Sequence, residues 1–471
     1  MRRCLQYLVS ILVSLSAGGC VAVPTNQSNN NLRPPASPAA SVSPSPVNET
    51  AAKAEPLTLP VLDAFFAEEG FSALLRTRLH LSDEQIAKLK ELAHAETAKL
   101  NEANAGQGEG ESATARAAAE EKISAVIGND KAAQLAALVR ERWNGAADDT
   151  ANQTASDTKN SSEESASLGA NRMPNDSRIV VNAPAYRMDV FDGGRLIKSY
   201  KIGIGYPQFP LPTGLRKAKV IIFNPTWTPP DEPWVAKMKN VSAGEKVEAG
   251  SKLNPLGPIK IPIGGPSLIH GGKSPAKLGT FASHGCVGLT TPQVKDFAKL
   301  LAQLGGARLT DEDLARFGSD KTQTKQLKLI KAVPVELRYE TIVIEDGKLH
   351  IYRDVYDQET NTEENLRSVL AASGVKLADL TDDERHQALD ALAQMSGRTS
   401  ARTAAAEPTA APGSSSKNSN SMRERRSSAT KKAARVPASQ KEIIIEIAAL
   451  RGKGYPPPAN LDTGSGKTKA R

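Results

Sequence analysis

Three long tracts of small and polar residues prevent this chain from forming one continuous hydrophobic core. They cover residues 21–56, 146–176 and 396–440 and show no apolar periodicity. Segments of such composition bury too little apolar surface to offset the entropy lost on ordering them. The 471 residues are therefore expected to form separate folded regions joined by flexible segments.

The formal net charge of +8 is concentrated near the C-terminal end. Residues 401–471 contain 14 Lys/Arg and 5 Asp/Glu, a net charge of +9, so the remainder is near −1. A basic tail of this kind suits contact with anionic polymers or phospholipid. The charge says nothing about a catalytic region, and we expect no nucleic-acid partner.

Residues 1–20 have the pattern of an export signal. Arg2 and Arg3 precede an apolar run from Leu5 to Leu15, and small residues then lead to Cys20. Small residues before a cysteine resemble a bacterial lipobox, which implies that Cys20 becomes lipidated. The alternative is ordinary signal cleavage with no lipid. We predict a periplasmic, lipid-anchored protein of the cell envelope, with the outer membrane as the expected membrane.

The cysteine count isolates one thiol. Of the three cysteines, Cys4 would leave with the signal and Cys20 would be acylated, so Cys286 has no disulfide partner. An unpaired thiol in an oxidising compartment is a candidate for chemistry.

The coarse pattern along the chain changes from helical to extended and back. The predicted regions are a signal peptide at 1–20, a tether at 21–56, an α-helical accessory region at 57–145, a linker at 146–176, a mostly-β domain with one main helix at 177–355, a helical segment at 356–396 and a basic, mostly disordered tail at 397–471. Within the tail, Lys441–Leu450 is an amphipathic run of no assigned state.

One short stretch combines residues that support nucleophilic catalysis. His270 ends an apolar strand, and Ser283-His284-Gly285-Cys286 follows after 12 residues. A thiol attacks as its thiolate, and a neighbouring imidazole accepts its proton. Gly285 leaves space for substrate beside the sulfur, and the amides of Gly285 and Cys286 are candidate donors to an oxyanion.

Cys286 and the two histidines also allow non-catalytic interpretations. A lone buried cysteine is usually a small hydrophobe, and a lone histidine after an apolar run is usually structural. One Cys and two His could also bind zinc, but no further Cys, Asp or Glu stands at regular spacing nearby. We therefore predict no metal and no organic cofactor.

His270 together with Ser283-His284-Gly285-Cys286-Val287 resembles the signature of the L,D-transpeptidases, whose catalytic domain is of the YkuD type. The resemblance covers Arg178–Tyr339 and includes Pro212-Thr213-Gly214. The gap after His270 is slightly short for the family. Many members carry Arg or Asn where this chain has Gly288, which leaves the choice of acceptor open.

The resemblance implies a role for each motif residue. Cys286 would be the nucleophile and His270 its general base, oriented by the carbonyl of Gly271. Ser283 would support the turn, His284 would line the pocket, and the amides of Gly285 and Cys286 would form the oxyanion hole.

The implied reaction is the joining of two peptidoglycan stem peptides by a 3→3 cross-link through a Cys thioester. Two alternatives remain: hydrolysis, by an L,D-carboxypeptidase or an amidase that detaches wall-linked protein, and a non-catalytic wall-binding scaffold. The roles of the helical regions and the tail stay open, as does the oligomeric state.

Overall fold

The computed structural model describes residues 57–68, 70–100, 111–143, 171–229, 233–236, 238–265, 267–396 and 440–464. The predictions of a signal peptide, a lipid on Cys20 and a tether lie outside the described residues. So do most of the linker at 146–176 and the first half of the tail. No helix in the described part of the chain is long and apolar enough to cross a membrane.

The predicted N-terminal helical region is confirmed. Its helices are α1 (Leu59–Phe66), α2 (Phe71–Leu79), α3 (Asp83–Thr97), α4 (Glu111–Ile127) and α5 (Asn129–Trp143). Ser82 and Gln85 form a capping box at the start of α3, which satisfies amides that a helix leaves unpaired. The buried faces of these helices share one hydrophobic cluster, in which Phe65 stacks on Phe71 and makes a tilted contact with Trp143.

The predicted mostly-β domain is also confirmed. Its strands are β1 (Arg178–Asn182), β2 (Arg187–Asp192), β3 (Arg195–Lys201), β4 (Ile204–Gly205), β5 (Gly214–Phe223), β6 (Ile259–Pro262), β7 (Leu268–His270), β8 (Phe281–Ser283), β9 (Val287–Gly288) and β10 (Lys325–Arg338). In the described residues an eight-stranded sheet has the order β3-β2-β1-β10-β5-β6-β7-β9, and β4 pairs with β8. The chain thereby brings β7 and β9 together at one end of the sheet.

Short helices complete this domain: α6 (Pro233–Ala236), α7 (Thr291–Leu304) and α8 (Asp311–Ser319). The main helix is α7, whose apolar face of Val294, Phe297 and Leu301 packs into the core of the sheet. Thr290 caps α7 through a capping box with Gln293.

A third hydrophobic cluster follows the catalytic sheet. It is built from β11 (Ile342–Glu345), β12 (Lys348–Tyr352), α9 (Glu363–Ala372), α10 (Asp382–Met395) and β13 (Glu442–Glu446). The hairpin of β11 and β12 was expected to close the catalytic domain near residue 355. Its core side chains pack instead with α9 and α10, because their apolar faces need a sheet to cover.

The C-terminal tail contains a folded part within the described residues. The run at 441–450, which the sequence left without an assigned state, forms β13 and pairs antiparallel with β12. Beyond it, residues 459–464 lie beside β3, the edge strand of the large sheet. Ser199 N donates to Ala459 O at 2.8 Å, and Asp462 N donates to Ser199 O at 2.9 Å. This end of the chain is therefore part of the fold.

Candidate active site

Two neighbouring strands carry the residues that the sequence singled out. Strands β7 and β9 pair in parallel, with Ile269 opposite Val287 and His270 opposite Gly288. Ile269 and Val287 are fully buried in the core of the sheet. Cys286 directly precedes Val287, so its backbone lies next to the strand that ends in His270. The topology thus brings together a histidine and a cysteine that are 16 residues apart in sequence.

Cys286 is partly exposed, whereas His270 is buried. Cys286 is a free cysteine of intermediate exposure, and His270 is only 3% exposed. Cys286 is therefore not sealed in the core, where a substrate could not reach it. A buried base beside a partly exposed cysteine suits attack on a substrate arriving from solvent.

The ring of His270 is held in one tautomer by its neighbour. Nδ1 lies 2.8 Å from the carbonyl oxygen of Gly271. A carbonyl oxygen can only accept a hydrogen bond, so in the neutral ring Nδ1 carries the proton and Nε2 carries the lone pair. The Gly271 contact expected from the family resemblance is thus present in the structure.

The pKa of His270 lies well below its ordinary value, at about 3. Burial is the main cause and the positive charge of Lys273 adds to it, while the carbonyls of Gly271 and Leu256 act in the opposite direction. The ring is therefore neutral at neutral pH. This favours a resting pair of neutral imidazole and thiol over a preformed imidazolium and thiolate.

The turn from 283 to 286 is closed by one side chain. The amide of Cys286 donates to Ser283 Oγ at 3.1 Å, and the Ser283 hydroxyl donates to the carbonyl of Cys286. Gly285 has φ of +74°, a conformation that glycine adopts without strain, and its carbonyl accepts from Ser267 Oγ at 2.8 Å. Ser283 therefore organises the turn around the sulfur.

This bonding corrects part of the oxyanion prediction. The amide of Cys286 was expected to point at the oxyanion, but in the structure it is engaged by Ser283 Oγ. It serves an oxyanion only if that bond opens when substrate binds. The amide of Gly285 remains a candidate donor from the original pair.

His284 is held between two aromatic rings. Its ring centroid is 5.1 Å from that of Tyr206 and 6.1 Å from that of Phe209, with both pairs edge to face. Its carbonyl oxygen lies 3.8 Å from Cys286 Sγ. His284 thus packs firmly beside the turn that carries the sulfur.

A lysine occupies the space beside Gly288. A Cβ added to Gly288 would lie 2.8 Å from Cγ of Lys273, so the lysine stem runs across the glycine. Lys273 Nζ donates to the carbonyl of Ala282 at 2.6 Å. The absence of a side chain at Gly288 therefore leaves room for the side chain of Lys273.

A second lysine stands on the other side of His270. Lys260 is the cross-strand partner of His270 on β6, is half-buried, and has a pKa lowered by burial. The charge of Lys273 acts on His270, and Lys260 lies opposite His270 in the sheet; the motif alone revealed neither lysine.

The Pro-rich segment near Trp227 packs mainly on itself. Trp227, Val235, Val241 and Leu256 form a small hydrophobic cluster, with Leu268 of β7 against it. This agrees with a loop that buries its own aromatic residue. The side chain of Trp234, the other tryptophan of this segment, lies outside the described residues.

The family comparison agrees with this geometry. Residues 176–324 match the model of the L,D-transpeptidase catalytic domain, YkuD. The chain contains an L,D-transpeptidase catalytic domain. The matched residues include β1 to β9 and the whole turn around Cys286.

Solved L,D-transpeptidases are similar to part of the chain. The catalytic domain of the Enterococcus faecium L,D-transpeptidase has 16% identity and a TM-score of 0.22, over 36% of this chain and 100% of that one. An L,D-transpeptidase from Mycobacterium tuberculosis has 14% identity and a TM-score of 0.19, over 34% of this chain and 57% of that one. The Ldtfm–avibactam carbamoyl enzyme has 16% identity and a TM-score of 0.23, over 35% of this chain and 49% of that one. This chain therefore spans about half the length of that enzyme. A comparison with curated proteins gives no match.

The L,D-transpeptidase domain holds no cluster of three His, Cys, Asp or Glu side chains arranged to bind a metal, within the ranges described. Sequence reasoning missed three residues around the site: Lys273, Lys260 and Phe209. Lys260 alternates with buried Ile259 and Ile261, so a strand pattern could have found it. Lys273 follows His270 by three positions, outside any strand. Phe209 gave no signal in the sequence.

Proposed function

We propose that the chain is a cysteine acyltransferase that forms 3→3 cross-links between peptidoglycan stem peptides. The observation that carries this proposal is the parallel register of β7 and β9, which brings the partly exposed Cys286 alongside the strand of a buried, neutral His270. The match of residues 176–324 to the L,D-transpeptidase domain supports the same chemistry.

In the first half of the reaction, Nε2 of His270 takes the thiol proton while the sulfur attacks. The attacked carbonyl is on the L-centre of the third residue of the donor tetrapeptide stem, and a thioester forms. The bond to the terminal D-Ala breaks, and its nitrogen receives the proton held by His270. Because burial disfavours the imidazolium, the proton is passed on readily.

In the second half, the side-chain amine of another stem attacks the thioester. His270 takes the amine proton, the new amide forms, and the thiol of Cys286 is restored by that proton. Water in place of the amine would give hydrolysis. The two lysines near His270 suit the carboxylates of stem peptides, since a half-buried ammonium gains most from a charged partner.

The test is to incubate the protein with tetrapeptide muropeptides and to analyse the products by mass spectrometry. We expect dimers joined 3→3, and their loss in Cys286→Ala. Tripeptides without dimers would replace the proposal by an L,D-carboxypeptidase.

A second measurement separates the enzyme from a scaffold. A carbapenem presents a strained acyl group, so the intact protein should gain its mass at Cys286, and Cys286→Ala should not. A protein that binds sacculi but takes up no carbapenem mass would be a non-catalytic wall-binding scaffold, and the proposal would fail.

We further propose that the protein acts in the periplasm, tethered through a lipid on Cys20 to the outer membrane. The support is the run of small residues before Cys20 and the polar tract that follows it. Metabolic labelling with palmitate should mark the wild-type chain and leave Cys20→Ser unlabelled. Equal labelling of both chains would contradict this proposal.

A further inference from the structure

One loop of the catalytic domain contacts both the catalytic turn and the helical region. It covers residues 205–211 and is called here the Phe209 loop. On the side of the turn, Tyr206 N donates to Ser283 O at 2.9 Å. The ring of Phe209 meets the edge of His284, and a Cβ added to Gly285 would lie 2.7 Å from that ring. Phe209 therefore covers the glycine that precedes the nucleophile.

The same side chain is part of the core of the helical region. Phe209 is 3% exposed and packs in the cluster formed by helices α1 to α5. Among the described residues it is the one buried member of that cluster from outside residues 57–143. The helical region thus holds Phe209 as it holds its own core residues.

Hydrogen bonds from the helical region fix the loop backbone just before Phe209. Thr58 Oγ1 donates to Gln208 O at 2.6 Å, and Ser112 Oγ donates to Pro207 O at 2.6 Å. Glu111 accepts a bond from the side chain of Gln208. These partners come from the starts of α1 and α4, so two separate helices hold the loop.

The far side of the loop is fixed by Tyr356, which lies beyond the catalytic sheet. Its hydroxyl donates to Gly205 O at 3.0 Å and accepts from Leu211 N at 3.2 Å. Arg116 of α4 in turn donates to the carbonyls of Tyr356 and Asp357 at 2.9 and 2.7 Å. Both ends of the Phe209 loop are therefore held by groups that the helical region also contacts.

We propose that Phe209 is a positioning residue through which the helical region sets the backbone of the catalytic turn. The turn needs such support because Ser283 closes it from inside only, while its outer face at Gly285 has no side chain of its own. The aromatic ring fills that face and limits how far the turn can move away from β7. This inference rests on the proposed role of Cys286 as nucleophile.

The experiment compares Phe209→Leu with the double variant Thr58→Val/Ser112→Ala in the full-length protein. The first replaces the ring over Gly285 by a smaller side chain. The second removes both hydroxyl bonds from the helical region to the loop, together with the bond by which Thr58 caps α1 at Val61 N, without touching the catalytic turn. The matched control is Thr97→Val, because Thr97 is buried in the same helical region and its hydroxyl donates to Ala93 O of α3.

The primary readout is the rate at which iodoacetamide alkylates Cys286 between pH 5 and 9. The sulfur reacts as it loses its proton, and a correctly placed neutral imidazole accepts that proton as the sulfur attacks. We expect Phe209→Leu to lower the rate about tenfold and to move the pH midpoint upward, since displacements of about 1 Å cost catalysis heavily. The double variant should change both in the same direction, and Thr97→Val should match wild type.

Steady-state kinetics on muropeptides gives a second readout. In both test variants kcat should fall, and KM should change less than kcat does. Wild-type alkylation rates and midpoints in both test variants would overturn the proposal. If Phe209→Leu does not fold, the double variant alone decides. A chain whose alkylation responds to these variants but that makes no cross-linked product would keep the positioning role and lose the proposed function.

Discussion

At the scale of single residues, the site depends on a histidine that is kept neutral by burial. His270 is nearly inaccessible, and its proton sits on Nδ1 because the carbonyl of Gly271 accepts from it. The low pKa keeps the ring of His270 neutral at neutral pH. It also links the stability of the fold to pH.

His270→Gln should flatten that dependence. The pKa of His270 is about 3 in the folded chain and 6.5 for an ordinary histidine, so above pH 6.5 the group costs nothing. As pH falls from 6.5 towards 3, the unfolded chain takes up a proton that the folded chain does not. The wild type therefore loses about 1.4 kcal/mol of unfolding free energy per pH unit from this group alone.

Urea unfolding at pH 6 and pH 4.5 measures this difference. The wild type should lose roughly 2 kcal/mol more than His270→Gln between the two conditions. Cys286→Ala serves as the control and should follow the wild type. An equal loss in all three proteins would show that His270 is not buried neutral.

At the scale of elements, the parts that sequence predicts are those with local signals. The strand ending at His270, the helix after Pro292 and the helical region all follow from periodicity and caps within a few residues. Strand β13 has three consecutive isoleucines, but its partner lies more than 90 residues earlier, so pairing was not predictable. The Phe209 loop was missed for the same reason, since Thr58 and Gln208 are 150 residues apart.

Tyr356→Phe tests the hydroxyl that bonds both ends of the Phe209 loop. The substitution removes the bonds to Gly205 O and Leu211 N and leaves two buried backbone groups unpaired. We expect a loss of about 1–3 kcal/mol in the unfolding free energy. Cys286 alkylation should also slow, because this hydroxyl fixes the Phe209 loop.

The control for that substitution is Tyr455→Phe. The hydroxyl of Tyr455 is also buried, yet it has no hydrogen-bond partner among the described residues. Its removal should leave stability unchanged or slightly higher. Equal destabilisation by the two substitutions would mean that the Tyr356 bonds contribute nothing specific.

At the scale of the whole molecule, specific polar contacts join the three large hydrophobic clusters: those of the helical region, the eight-stranded sheet and the C-terminal part. Arg187 of β2 pairs with Glu345 of β11 at 2.6 Å and with Asp189 at 2.9 Å. All three side chains are largely buried. The catalytic sheet and the C-terminal cluster therefore meet at a desolvated ion pair, which is costly to break from one side.

Glu345→Gln should lower the unfolding free energy by about 3 kcal/mol, because it leaves Arg187 with one carboxylate in a buried setting. The matched control is Glu446→Gln, which breaks the exposed Lys348–Glu446 pair of the same C-terminal cluster. That control should unfold like wild type. Denaturant titration of the three proteins measures both effects, and similar midpoints throughout would contradict the prediction.

The segment at 459–464 has a consequence for how this protein behaves in concentrated solution. An uncovered edge strand offers a row of free amides and carbonyls to any other extended peptide, and this is a common start of aggregation. Here the chain places its own backbone against β3, so the edge is already occupied. A clip anywhere between β13 and Ala459 would remove that cover, and the truncated molecules would then be able to recruit one another edge to edge.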